Sequence, residues 1–142
     1  MTIAAILKTK GGDVVSLPRD ATVRQAVALL AERRIGAVPV VDGGGVVGIF
    51  SERDLVYCLA THGPGVLDRA VDEVMTQPVQ SVGTDEAAIG ALSLMTRRRI
   101  RHLPVVESGR MIGFVSIGDL VKYRIDRIEA DAAAMRDYIQ TA

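Results

Sequence analysis

Between Thr22 and Arg34 the apolar side chains fall at Val23, Ala26, Val27, Leu30 and Ala31, the spacing of a helix with one buried face. Asp20 to Thr22 supplies capping candidates at its start. Downstream the period changes. Ala37 to Val41 and Val46 to Phe50 are short apolar runs flanking Asp42-Gly-Gly-Gly45, which predicts a hairpin with glycines at its turn. Helical spacing returns from Ser51 to about Leu59 or Thr61, and His62-Gly-Pro-Gly65 ends it. Ahead of this block, Ile3 to Lys8 reads as a helical lead-in broken by Lys10-Gly-Gly-Asp13. Val14 to Leu17 reads as a short strand closed by Pro18. Val66 to Thr76 reads as a connecting helix.

The same order then comes again. A strand is expected near Val79 to Val82, a helix from about Asp85 to Arg99, and a strand from His102 to Val106. Glu107 to Arg110 turns the chain, Met111 to Val115 forms the next strand, and a helix starts near Ser116. The two blocks match residue for residue at an offset of 65, with 15 of 38 positions identical between Asp20/Asp85 and Tyr57/Lys122. Ile35-Gly-Ala-Val-Pro-Val-Val-Asp42 pairs with Ile100-Arg-His-Leu-Pro-Val-Val-Glu107. Repetition on this scale decides the architecture. The expected fold is α/β: two β-α-β-β-α units related by pseudo-twofold symmetry, with helices packed on short sheets and related clefts between the units. Residues 1–65 form the first unit; residues 66–142 form the second, with the connecting helix and a C-terminal helical extension. The last helix runs on toward Tyr138, with Leu120, Val121, Ile125, Ile128, Ala132, Met135 and Ile139 on one stripe. Such a stripe needs a covering surface, either the chain's own unit or another subunit.

Composition narrows the function classes. The 142 residues are 49% apolar but only 4% aromatic, without Trp, so the core is built from Val, Ile, Leu and Ala. Seventeen basic and seventeen acidic residues balance, and no overall field draws the chain to nucleic acid or to a membrane. No apolar run reaches the ~18–20 residues that span a bilayer. The N-terminus lacks the basic start and long apolar stretch of a signal peptide, so a cytoplasmic setting is expected. One Cys and two His cannot assemble a closed zinc site, and no metal site is expected. Cys58 lies in an apolar helical stretch and reads as core, whereas His62 reads as an exposed loop residue. Gly43-Gly-Gly45 lacks the Gly-Lys-Ser/Thr ending of a phosphate loop and sits between strands, so it reads as a turn. No nucleophile–base–orienter set is visible, and no catalytic residue is assigned.

The two Pro-Val-Val strands, the two Gly-x-x-Ser ends at Ser51 and Ser116, and the Asp-Leu-Val that follows each resemble the CBS domain. This small module is named after cystathionine β-synthase, and two in tandem resemble a Bateman module. The resemblance covers about residues 5–125. Ser51-Glu-Arg-Asp54 and Ser116-Ile-Gly-Asp119 are similar to the corresponding segments of stand-alone bacterial pairs. It implies a regulatory sensor that binds adenosine-containing ligands in clefts between the repeats and signals by a change in conformation or dimer geometry. The candidates are AMP, ADP, ATP and NAD(H), with S-adenosylmethionine behind them; none is a catalytic cofactor. It also implies a disc-like homodimer and an unknown regulated protein partner.

Carried over residue by residue, the resemblance makes Asp54 and Asp119 acceptors for ribose hydroxyls, with Ser51 and Ser116 near ribose or phosphate. A carboxylate can accept both vicinal hydroxyls, and a helix N-terminus offers free N–H groups to phosphate. The competing reading is a capping box, Ser with an acidic residue three positions later. Arg101 and His102 stand where related pairs set basic residues against phosphate. The first copy has Gly36 and Ala37 there, so the first cleft is expected to be roomier with only Arg53 nearby, and the second to prefer charged phosphates. Arg97 to Arg99 could equally complement a helix C-terminus. Thr76, Val79 and Gln80, with Val14 and Val15 as their counterparts, stand where related modules contact adenine. Two rival readings remain: a ligand-free interaction and dimerisation module, and nucleic-acid binding through Arg97 to Arg101.

Overall fold

The computed structural model describes residues 2–11 and 13–141. Five α-helices and five strands alternate among the described residues: α1 (Ile3–Lys10), β1 (Leu17–Pro18), α2 (Val23–Arg33), β2 (Ala37–Asp42), β3 (Gly45–Ser51), α3 (Glu52–His62), α4 (Ala88–Arg98), β4 (His102–Glu107), β5 (Arg110–Ser116) and α5 (Ile117–Thr141). The fold is α/β, and its two halves repeat a helix–hairpin–helix frame, with three strands in the first sheet and two in the second. β2 and β3 pair antiparallel with a register shift at Val40/Val41, and β4 and β5 pair antiparallel with the same shift at Val105/Val106. The glycine turn forms as expected, with Gly43 and Gly44 at φ of 60° and 86°, a conformation that glycine adopts without steric cost.

Three expected elements differ. The strand anticipated at Val14 to Leu17 forms instead at Leu17–Pro18, paired parallel with Val40 and Val41. Its counterpart near Val79 to Val82 shrinks to a single parallel bridge, Val82 with Val105. The ladder stops there because the next two N–H groups are taken by side chains: Gly83 donates to Glu86, and Thr84 donates to Glu107 Oε1 at 2.8 Å. The connecting helix at Val66 to Thr76 resolves into two 3₁₀ turns, Pro64–Asp68 and Val71–Glu73. Tertiary bonds hold this segment: the N–H of Val71 donates to the Ala21 carbonyl at 2.7 Å, and that of Val23 to the Arg69 carbonyl at 2.9 Å.

Each helix start reflects its local sequence. Thr22 caps α2 in a reciprocal box, accepting from the Gln25 N–H at 3.1 Å while Gln25 Oε1 accepts the Thr22 N–H at 2.9 Å. The equivalent position before α4 is Ala87, which offers no side-chain cap. Among the described residues, no helix is long and apolar enough to cross a membrane.

Two apolar clusters hold the fold. One gathers Leu17, Val23, Ala26, Val38, Val40 and Phe50 with Val71 and Met75; the other gathers Val82, Ala91, Met95, Leu103, Val105, Val115 and Leu120 with Ile3 and Ile6. The helix that opens the chain therefore packs on the second repeat. Its first N–H groups donate to the carbonyls of Glu86 and Thr84, both at 2.9 Å. Conversely, the segment leading into the second repeat packs on the first. Two strand glycines make room for these crossings. A Cβ on Gly113 would stand 2.6 Å from Leu7 Cδ2, and one on Gly48 would stand 2.3 Å from Met75 Sδ. The division at residue 65 thus marks the sequence repeat, whereas the packing units interleave. The hairpins also meet directly, with the Met111 N–H donating to the Gly44 carbonyl at 3.1 Å.

Gly113→Val should displace Leu7 and loosen α1, costing roughly 1–3 kcal/mol by overpacking. The expected result is a melting temperature lowered by several degrees, with partial recovery when Leu7→Ala is added. A melt unchanged by Gly113→Val would show that α1 does not bear on β5.

Candidate functional site

A cavity of about 330 Å³ opens between the repeats, lined by Gly36, Ala37, Ser51, Arg53, Asp54 and Thr76 from one side and by Pro78, Val79, Gln80, Arg99, Arg101 and His102 from the other. That is within the roughly 300–1,000 Å³ typical of small-molecule sites. Ile49, Glu52 and Ile100 complete the wall. Nine of the twelve site residues expected from the sequence line this cavity: Gly36, Ala37, Ser51, Arg53, Asp54, Thr76, Gln80, Arg101 and His102; Val15, Ser116 and Asp119 lie elsewhere.

Backbone geometry explains how the cavity is assembled. β3 delivers Ser51 to the start of α3, where Ser51 Oγ accepts the Asp54 N–H at 3.2 Å and Asp54 Oδ2 accepts the Ser51 N–H at 2.9 Å. The capping box is therefore real, and the Asp54 carboxylate is half committed to it. Its other oxygen, Oδ1, accepts the Thr76 hydroxyl at 2.8 Å. Thr76 is held in place by its backbone, which exchanges two hydrogen bonds with Ile49, at 2.8 and 3.1 Å. The Glu52 N–H donates to the Gly36 carbonyl at 3.0 Å, which fixes the Gly36–Ala37 entrance of β2 against α3.

The second repeat reproduces this frame with different chemistry. Ser116 Oγ accepts the Asp119 N–H at 3.1 Å, and Asp119 Oδ2 accepts the Ser116 N–H at 2.8 Å. The Ile117 N–H donates to the Arg101 carbonyl at 2.7 Å, as Glu52 does to Gly36. In place of a threonine hydroxyl, the ammonium of Lys10 meets Asp119 Oδ2 at 2.7 Å and also donates to the Phe114 carbonyl at 2.6 Å. Asp119 is held below the usual carboxylate range: burial pushes the group up, and the Lys10 ammonium with the Ser116 N–H outweighs it.

The expected partition of the clefts needs correction. Arg101 and His102 were assigned to a phosphate-preferring second cleft and Gly36 and Ala37 to a roomier first one, yet all four line the cavity that holds Asp54. The repeats face one another, so the start of β4 closes the cleft whose floor is built by β2, β3 and α3. This cavity carries three guanidinium groups, Arg53, Arg99 and Arg101, against the carboxylates of Glu52 and Asp54. Among the described residues, none of those three arginines forms an ion pair within 4 Å. His102 adds little charge. Its ring stacks on Phe114 with centroids 5.5 Å apart, and burial, then the Lys10 ammonium, lowers its pKa. Arg97 and Arg98 end α4 as exposed residues outside the cavity wall. Val15 is half-buried against the first core rather than in this cavity.

Sequence reasoning did not single out Glu52 or Lys10, and it named Arg99 only within the Arg97 to Arg99 run. Arg99 ends α4 in the left-handed conformation (φ 54°), matching Arg34 (φ 53°) at the end of α2. Lys10 had a signal: it stands 65 residues before Met75, beside the counterpart of Thr76. Cys58 is buried, as expected, and its thiol is pushed up chiefly by that burial. His62 is exposed but closes α3 rather than lying in a loop.

This doubled frame has known relatives. The CBS-domain model matches residues 4–61 and again 71–126. The mitochondrial CBS domain-containing protein CBSX3 of Arabidopsis thaliana is 32% identical over 98% of this chain and 72% of its own length. The crystal structure of the CBS-domain containing protein ATU1752 from Agrobacterium tumefaciens superposes with a TM-score of 0.83 at 40% identity, covering 87% of this chain and 99% of that one. The CBS domain pair of protein MJ0100, solved in complex with 5′-methylthioadenosine and S-adenosyl-L-methionine, shares the fold, with a TM-score of 0.76 at 24% identity over 87% of this chain and 98% of that one. With two matched copies spanning most of its length, the chain belongs to the CBS domain family as a tandem pair.

Proposed function

We propose that this CBS pair is a regulatory module, without catalysis of its own, that binds an adenine nucleotide in the Asp54 cavity. The supporting observation is the combination of groups that line that cavity. The Asp54 carboxylate meets only neutral donors there and can accept ribose hydroxyls; Ile49, Val79 and Ile100 offer apolar walls to a base; unpaired Arg99 and Arg101 stand ready for phosphate. Thr76 and Gln80 add polar groups, and Gly36 with Ala37 adds little side-chain bulk. AMP, ADP, ATP and NAD(H) all present groups complementary to these. S-adenosylmethionine lacks the phosphate that the arginines would recognise and ranks behind them. Occupancy would bridge the two repeats, because the acceptor comes from one and the cations from the other. Signalling then requires the ligand to favour one relative arrangement of the repeats, and a partner protein to read it.

The regulatory reading includes a homodimer. Along α5, Ile125, Ile128, Met135, Tyr138 and Ile139 are all more exposed than not or nearly so, from 49% at Ile125 to 71% at Tyr138. An apolar stripe on a helix that runs past its own core is covered most economically by the same stripe of a second copy, in an isologous contact.

In a thermal-shift panel of AMP, ADP, ATP, NAD(H) and S-adenosylmethionine, the cognate ligand at 100 times its dissociation constant should add about 2.7 kcal/mol of stability. Equal melting with every member would favour a ligand-free interaction module. Asp54→Asn keeps the shape and an acceptor for the cap but removes the charge. Hydrogen bonds to a charged group contribute about 1.5–3 kcal/mol, so nucleotide affinity should fall by about one to two orders of magnitude while the apo melt hardly moves. Parent-like binding by this variant would make Asp54 a cap only.

Arg101→Ala should weaken the same calorimetric site as Asp54→Asn, and weaken AMP while sparing adenosine. An equal loss for adenosine and AMP would remove Arg101 from phosphate recognition. Light scattering at high micromolar concentration should give a dimer mass, and a monomer would count against the α5 interface.

A further inference from the structure

We propose that Lys10 closes the second cleft, so that this pair takes nucleotide at Asp54 and holds Asp119 in reserve behind an internal cation. The inference rests on the nucleotide reading of the Asp54 cavity and concerns the related position that the repeat creates at Asp119.

In the first repeat two separate groups of Thr76 serve the cleft. Its N–H donates to the Ile49 carbonyl at 2.8 Å, and its hydroxyl donates to Asp54 Oδ1, also at 2.8 Å. In the second repeat the single ammonium of Lys10 does both jobs. It donates to the carbonyl of Phe114, the residue 65 positions after Ile49, at 2.6 Å, and to the Asp119 carboxylate at 2.7 Å. The carbonyl and the carboxylate correspond, but Lys10 meets the oxygen that also accepts the Ser116 N–H, whereas Thr76 meets the oxygen that the cap leaves free, and the chemistry differs. A hydroxyl leaves Asp54 its full charge and can rotate away from an arriving ribose. The ammonium offsets the charge of Asp119 at 2.7 Å. A ribose hydroxyl, a neutral donor, must then compete with a charge-assisted bond for the same carboxylate.

The lysine is well placed to stay. α1 is pinned at its start by hydrogen bonds to Glu86 and Thr84 and along its length by buried Ile3 and Ile6. Leu7 fills the gap over Gly113, one turn before Lys10. The Lys10 and Asp119 side chains are only 37% and 27% exposed, so the pair is partly shielded from the solvent that weakens surface ion pairs. The stacked pair His102–Phe114 borders it, and His102, kept toward its neutral form, does not compete for Asp119.

Calorimetric titration with AMP tests this. The parent should bind one AMP per chain, and Lys10→Met, which keeps the apolar stem and removes the charge, should bind two. Adding Asp119→Asn to Lys10→Met should abolish the gained site and leave the first. Lys10→Gln provides a second opening variant, and Lys10→Arg, which keeps the cation, should stay at one; circular dichroism melts identify which variants are folded. Two sites in the parent, or no gain in any folded Lys10→Met or Lys10→Gln protein, would overturn the closure. Loss of binding on removing the cation would overturn it too, making Lys10 a ligand contact. A parent that binds neither AMP nor ADP, ATP or NAD(H) would instead refute the Asp54 reading, whereas a gain in Lys10→Met that depends on Asp119 would still support the closure.

Discussion

Both clefts depend on a reciprocal crossing of the chain. The sheet of each repeat is covered, at a strand glycine, by the segment that leads into the other repeat: Leu7 lies over Gly113 and Met75 over Gly48. Neither repeat can bury its own hairpin with its own leader, so the two are bound by packing rather than by the linker alone. The crossing also sets the site. Thr76 reaches Asp54 because Met75 is seated on β3, and Lys10 reaches Asp119 because Leu7 is seated on β5. A free copy of either repeat would lack the donor that completes its own carboxylate.

The repeated frame shows how little change separates two related clefts. Register shifts, left-handed arginines and Ser–Asp caps recur at the same offset, so the backbone is shared. What differs is a few side chains. Gly36 and Arg101 hold equivalent positions in the repeats and meet in the one cavity around Asp54, one adding room and the other charge; Lys10 sets a cation at Asp119 where Thr76 sets a neutral donor at Asp54. Because the halves face one another, Arg99 and Arg101 of the second copy line the cavity that holds the carboxylate of the first. Divergence in one repeat therefore changes the cleft of the other.

The long periodic elements were legible in the sequence because each buries one face against a sheet of matching pattern: α2, α4, both hairpins and α3 all follow from spacing. The segments decided by tertiary bonds were not. Val66 to Thr76 has an apolar content that suits a helix, yet Val71 and Arg69 are bonded to the first repeat, which holds the segment in short turns. The strand expected near Val79 is reduced to one bridge at Val82, and beyond it the Gly83 and Thr84 N–H groups go to Glu86 and Glu107, acceptors that no propensity reports. Within the site, Ser51, Asp54, Ser116 and Asp119 stood out because they recur. That Arg101 shares a cavity with Asp54 depends on how the repeats face, which no spacing along one chain encodes. The lysine at Asp119 was hidden because it lies before the repeated block, where the two copies differ most.

The exchange of leaders also bears on how the chain acquires its structure during synthesis. α1 is made first, but its partners, Val82, Leu103, Val105, Val115 and Leu120, are made last. Until β5 emerges, Ile3, Ile6 and Leu7 have no sheet to cover. The first repeat, in contrast, is complete in its packing once Met75 has been added. In order of synthesis, the first repeat has all its packing partners before the second does, and α1 has its full set only after the second hairpin has been made. Contacts of such long sequence separation slow folding, since loop closure must precede the reward of packing. The exposed leader is meanwhile a surface that a neighbouring nascent copy could capture in place of its own second repeat.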